Sequence, residues 1–184
     1  MKSRSCVVID YGIGNTFSVL NALKINGINS VLTNDYQLIK NADSIILPGV
    51  GAFGKGMEKL SENKIIDGLI EFLSKERPLL GICLGMQLLM EIGYELGEFK
   101  GLGLIPGEVS KINIREKNLN KIKVPLIGWY KTTYNNNDSY FIGKKVGEEL
   151  DGKSYYYIHS YSVLTTKKIN ELAYVDFGNS KIVA

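Results

Sequence analysis

Three observations predict an α/β fold centred on parallel strands, with a β-rich second half. Four short apolar runs before residue 93 alternate with helix-forming segments, the signature of strands joined by crossover helices. One of those runs ends in Gly81-Ile82-Cys83-Leu84-Gly85, a strand-to-helix corner with glycine two positions either side of a cysteine. Beyond Gly93, glycines at 97, 101, 103 and 107 interrupt helical patterning, and the remaining segments are β-prone.

In chain order, Cys6 to Ile9 is a continuous apolar run ending in Asp10, and Tyr11 to Asn15 makes a turn. A helix follows from Thr16 to Asn26, with Leu20, Ala22 and Leu23 as its apolar stripe and Gly27 as its stop. Ser30 to Thr33 reads as the second strand and Ser44 to Leu47 as the third, buried one. A glycine-rich loop, Pro48 to Gly56, leads into one helix from Met57 to about Ser74. Leu79 to Ile82 suits a buried parallel strand, and Met86 to Glu91 continues as helix. The second half offers strands within Glu108 to Ile114, Ile122 to Tyr130, Tyr155 to Leu164 and Leu172 to Phe177, joined by hairpin-like turns, and a last one at Lys181 to Ala184. Tyr134 to Asp138 is the plainest turn, and Lys117 to Lys123 a solvated loop.

Bulk properties narrow the function classes. A length of 184 residues suits one domain with a real core, and 45% hydrophobic with 22% charged residues is an ordinary globular balance. The net charge of +3 is spread along the chain, so no footprint for nucleic acid or a membrane surface stands out, and small molecules or a protein are the expected partners. The apolar run behind the basic start is too short for a signal peptide, and Pro78 to Met90 falls well short of the ~20 residues that span a bilayer, so a cytoplasmic protein is expected. Cys6 and Cys83 make neither a disulfide framework nor metal-ligand spacing, and no metal or cofactor is expected.

Cys83 is the candidate nucleophile. At a sharp corner where neighbouring side chains are not tolerated, a thiol is lifted above the sheet, and a helix start is expected to favour thiolate. The competing reading of the same pentad is a packing corner holding a buried, inert cysteine. The loop at 49–55 also matches two phosphate-binding patterns. Gly49-x-Gly51-x-x-Gly54 fits a dinucleotide fingerprint, but it follows the third strand rather than the first, and the position for the ribose-binding acid falls at a helix end. Gly49-x-x-x-x-Gly54-Lys55 fits a P-loop except that Gly56 stands where the magnesium-binding Ser or Thr belongs. A third reading makes Gly49 to Gly51 and the Leu84 N–H an oxyanion site, since both loops follow parallel strands at the end where such sheets place their sites.

Ile9 to Asn15, Leu47 to Phe53, Gly81 to Gln87 and Ile158 to Tyr161, in that order and spacing, closely resemble the glutaminase subunit of imidazole glycerol phosphate synthase, a class I (triad) glutamine amidotransferase. The resemblance covers essentially the whole chain. It implies a class I glutaminase fold over residues 1–184 and hydrolysis of glutamine to glutamate and ammonia through a Cys83 thioester. By the same resemblance Gly49, Val50, Gly51 and Leu84 line the oxyanion region, and Gln87, Ser160 and Tyr161 bind substrate. The partner it implies is a (β/α)8-barrel synthase subunit of the histidine pathway that receives the ammonia.

Two departures from the family pattern stand out. The family's His-Pro-Glu motif, which supplies the base and its orienting acid, does not occur up to Ala184, so the chain is expected to lack that C-terminal segment. The only histidine, His159, has no carboxylate two positions on and reads first as a structural or substrate-side residue, second as a base. In Val124 to Tyr130, the histidine usual after the proline and the asparagine usual after the tryptophan are absent. A paralogue feeding ammonia to sugar amidination in surface polysaccharide synthesis, and a catalytically silent regulatory scaffold, therefore remain as alternatives.

Overall fold

The computed structural model describes residues 5–113, 123–135, 141–178 and 180–183. Four parallel strands form its first sheet: β1 (Cys6–Ile9), β2 (Ser30–Thr33), β3 (Ser44–Gly49) and β4 (Leu79–Cys83), in the order β2-β1-β3-β4. Alternation along the strands splits their side chains between two faces. Cys6, Val8 and Ile46 pack against Leu23 of α1 (Thr16–Ile25). Val7, Ile9, Ile45 and Leu47 face the main core, with Ile39 of α2 (Tyr36–Asn41), Leu60 of α3 (Phe53–Leu60) and Ile65, Leu69 and Phe72 of α4 (Ile65–Leu73). With the strand order reversing at β1 and β3, the carboxyl ends of these two neighbours form the switch point where such sheets hold ligands.

Several elements depart from expectation. The helix expected over Met57 to Ser74 is two helices, α3 and α4, separated by a 3-10 turn at Glu62–Lys64; Lys64 adopts a left-handed conformation (φ 57°), which an α-helix cannot carry through. Each piece then turns its own apolar face inward. α2 went unforeseen although its start is legible, because the Asp35 carboxylate accepts from the Leu38 N–H at 2.9 Å. The helix expected over Met86 to Glu91 stops after one turn, α5 (Leu84–Gln87), and Met90–Gly93 is strand β5. Here pairing overrides propensity: β5 lies between β6 (Phe99–Lys100) and β7 (Ile105–Lys111), whose other edge carries β10 (Tyr161–Thr165). β4, expected to be buried, leaves Leu80 56% and Ile82 37% exposed. It ends the strand order, and α1 packs over the β1–β2 side of the face that Leu80 and Ile82 share with Ile46.

The third sheet is antiparallel, in the order β12-β11-β8-β9, made of β8 (Leu126–Tyr134), β9 (Ser154–His159), β11 (Ala173–Phe177) and β12 (Ser180–Val183). Leu126, Val175, Phe177 and Ile182 form its own small core. The stretch expected as a single strand from Tyr155 to Leu164 is two, β9 and β10, which break at Ser160 and belong to different sheets. β8 and β9 pair without a hairpin turn, since α6 (Phe141–Leu150) lies between them. Residues 136–138 of the expected turn and 117–122 of the expected loop lie outside the described residues. Among the described residues, no helix is long and apolar enough to cross a membrane.

Candidate active site

The corner at Cys83 is built by close approach. Cys83 has φ 55° and ψ −114°, a conformation that L-residues rarely adopt and that costs on the order of 1–3 kcal/mol when the surroundings impose it. The surroundings that impose it are the two flanking glycines. A Cβ on Gly81 would lie 2.6 Å from the Met86 Cα, and one on Gly85 would run into the Leu47 carbonyl oxygen with the carbonyl carbon 2.7 Å away. Only bare backbone lets α5 fold back onto β3 and β4 this tightly.

Cys83 is exposed, whereas Cys6 is buried, so the reading of Cys83 as a buried packing residue does not hold. It opens on a cavity of about 350 Å³ lined by Val50, Gly51, Leu84, Gln87, Glu95, His159, Ser160 and Tyr161 among others. A neighbouring, mostly apolar cavity of about 390 Å³ runs from Cys83 past Met86 to Tyr155–Tyr157 and Val183. Of the oxyanion candidates, Val50, Gly51 and Leu84 reach the cavity wall. Gly49 sits behind it, buried and paired with Cys83 across β3 and β4.

The expectation of a thiolate favoured by a helix start is corrected. Although Cys83 opens on the cavity, the protein packed around the rest of the sulfur partly desolvates it and pushes the thiol above its ordinary value, and the Leu84 N–H opposes this only in part. A helix of four residues has little macrodipole, so burial wins. The rate of Cys83 alkylation by iodoacetamide is therefore expected to keep climbing with pH beyond the usual thiol range near 8.5. With His159 read as structural, the His159→Gln variant keeps the same midpoint; a midpoint displaced in that variant identifies the imidazole as the thiol's partner.

His159 shares the cavity with Cys83, but its surroundings are those of a held side chain. Nδ1 lies 2.8 Å from the Tyr161 carbonyl oxygen and so donates to it, leaving Nε2 as the acceptor. The ring packs edge-on against Tyr157 at 6.0 Å, and burial, only partly offset by the Tyr161 carbonyl, holds its pKa below the ordinary value. Its orienting partner is a backbone carbonyl, where a triad histidine has a carboxylate. The same Tyr161 carbonyl accepts from Gln87 Nε2 at 3.1 Å, and the Ser160 carbonyl from the Ile112 N–H at 2.9 Å. The first bond ties the β9–β10 junction to α5 beside the thiol, and the second ties it to the end of β7.

Glu95 was missed from the sequence. It lies in the loop between β5 and β6, where its Oε2 accepts from the Phe53 N–H at 2.9 Å. α3 has no side-chain cap of its own at Ala52, so Glu95 supplies one from 42 residues away while presenting a carboxylate at the cavity. Nothing local marks it, because its role depends on the long-range approach of two loops.

Residues 7–173 match the family model described as Glutamine amidotransferase class-I. The chain belongs to this family. Within it, this amidotransferase is 39% identical over 173 residues to the imidazole glycerol phosphate synthase subunit HisH of Aquifex aeolicus (strain VF5), covering 94% of this chain and 78% of that one. It is also 39% identical over 174 residues to subunit HisH 2 of Methanococcus maripaludis, covering 94% and 81%. The fold matches a chain of the PurLQS structure from Thermotoga maritima with a TM-score of 0.67 at 21% identity, over 98% of this chain and 78% of that one.

Proposed function

We propose that this chain is the glutaminase subunit of an imidazole glycerol phosphate synthase, hydrolysing glutamine at Cys83 in the service of histidine biosynthesis. The observation that carries the reading is an exposed thiol on a strained corner, opening on a cavity walled by the Val50–Gly51 loop, the β9–β10 junction and Glu95. The Cys83 sulfur attacks the γ-carboxamide carbon, and the Leu84 N–H with the backbone of the Val50–Gly51 loop meets the charge that develops on oxygen. The proton given up by the thiol passes to the amide nitrogen, the C–N bond breaks and ammonia leaves, and water then releases glutamate from the thioester and restores the thiol. Gln87, Ser160, Tyr161 and Glu95 hold the amino-acid end of the substrate, with the Glu95 carboxylate facing its ammonium group. Ammonia passes to a (β/α)8-barrel synthase subunit, so the working unit is a cytoplasmic heterodimer. The histidine pathway is preferred over sugar amidination because the relatives described above are named for it.

The test is mass spectrometry after incubation with a glutamine-derived alkylating agent in the presence of the barrel partner. One adduct on Cys83, suppressed by excess glutamine, is expected. Modification of neither cysteine, or no protection by glutamine, sinks the reading and leaves a silent scaffold. The ammonium contact has its own test. Glu95→Gln keeps an acceptor for the Phe53 N–H but loses the charge, and charge-assisted hydrogen bonds are worth about 1.5–3 kcal/mol, so KM for glutamine should rise at least about tenfold with kcat little changed. An unchanged KM leaves Glu95 as a helix cap alone.

A further inference from the structure

A buried group beside the reacting loop that the chemistry above does not use is Tyr11. β1 ends at Ile9 and the chain turns at once, with the Gly12 N–H held by the Asp10 carboxylate at 3.3 Å and Gly12 at φ 79°. This turn drives Tyr11 inward, where it is only 4% exposed and its hydroxyl donates to the Pro48 carbonyl at 2.7 Å. The hydroxyl also occupies the place of a side chain on Gly49, since a Cβ there would run into it and lie 2.9 Å from the Leu84 Cβ. Gly49 in turn is the β3 partner of Cys83. Tyr11 is thus wedged under the peptide that leads from β3 into the Val50–Gly51 loop, one residue row from the nucleophile.

Resting on the amidotransferase reading, we propose that the Tyr11 hydroxyl is a positioning group: by donating to the Pro48 carbonyl it fixes the Pro48–Gly49 peptide and aims the Gly49–Gly51 loop at the oxyanion forming over Cys83. The loop has the freedom that makes such a brace necessary, because Gly51 sits at φ 100° with nothing within 4 Å of where a Cβ would be. Burial and, secondarily, the charge of Cys83 both raise the Tyr11 pKa, so the hydroxyl keeps its proton and remains a donor at every working pH. A merely structural tyrosine would affect stability and every reaction of the thiol alike. A positioning tyrosine affects only reactions that build an oxyanion.

Two electrophiles separate these roles. With the γ-p-nitrophenyl ester of glutamate, an S–C bond forms at the carbonyl through an oxyanion, the C–O bond breaks, and p-nitrophenolate leaves with the electron pair and needs no proton. With iodoacetamide, sulfur displaces iodide at a saturated carbon and no oxyanion forms. In Tyr11→Phe, loss of one hydrogen bond is expected to slow ester acylation of Cys83 about tenfold while iodoacetamide alkylation stays within about twofold of the wild type. Equal ester rates, or a fall by the same factor in both reactions, overturns the proposal. Where Y11F does not fold, 3,5-difluorotyrosine at position 11, a stronger donor of nearly the same shape, must change the ester rate and leave the iodoacetamide rate alone; an unchanged ester rate overturns the proposal there too. A wild-type chain that iodoacetamide alkylates at Cys83 but the glutamyl ester does not acylate refutes the amidotransferase reading itself, and the inference with it.

Discussion

Cys83→Ala should abolish glutamine hydrolysis, with a loss on the order of 10⁵-fold or more measured as ammonia release with the partner synthase subunit present, because the proposed thioester forms on this sulfur. Stability should move by no more than about 0.5 kcal/mol, since the side chain is exposed and alanine keeps the Cβ. Cys83→Gly sharpens the point. Glycine accepts φ 55° without strain, so this variant is expected to be as inactive as alanine yet more stable by about 1 kcal/mol in urea unfolding. A cysteine held at a costly backbone angle is a local sacrifice of stability, and the glycine variant measures its size. If Cys83→Gly is less stable than Cys83→Ala, the strain argument fails; if Cys83→Ala still turns over glutamine, so does the assignment of the nucleophile.

Gly85→Ala should be the most damaging glycine substitution of the elbow. Its Cβ would meet the Leu47 carbonyl, which is backbone in the middle of β3 and cannot swing aside as a side chain can. Overpacking of this kind costs about 3 kcal/mol, and the melting temperature of a chain this size should fall by roughly 6–12 °C. Ester acylation should be lost as well, because α5 can relieve the clash only by lifting away and taking the Leu84 N–H with it. Gly27→Ala is the control. It also has a positive φ, 68°, but open space around the added carbon, and should cost only about 1 kcal/mol with no effect on acylation. Similar losses in both variants would show that φ alone, and not the approach of α5 to β3, accounts for the elbow glycines.

Most of the first sheet was legible. β1, α1, β2 and β3 begin where expected, because each is bounded by a local signal: Asn15 accepts from the Ser18 N–H at 3.2 Å to start α1, and Gly27 at φ 68° ends it. The elements missed or misread are those whose outcome is settled by distant partners. Met90–Gly93 has residues acceptable to a helix and became a strand because β6 and β7 flank it. α6, between two strands that pair with each other, interrupts what looked like a continuous β-rich half.

The site divides the same way. The glycines at 81 and 85 were enough to mark a sharp strand-to-helix corner at Cys83, because such an elbow is a local backbone device and its steric needs are written in neighbouring residues; the same pentad left open whether the thiol was a nucleophile or a packing residue. That the thiol is pushed up rather than down, that Gln87 reaches the Tyr161 carbonyl, that Glu95 comes to the cavity from another loop, and that the Tyr11 hydroxyl meets the Pro48 carbonyl were decided by tertiary structure alone. Desolvation and hydrogen bonds between residues 37 to 74 positions apart depend on which surfaces the fold brings together, and no short stretch of sequence carries that information.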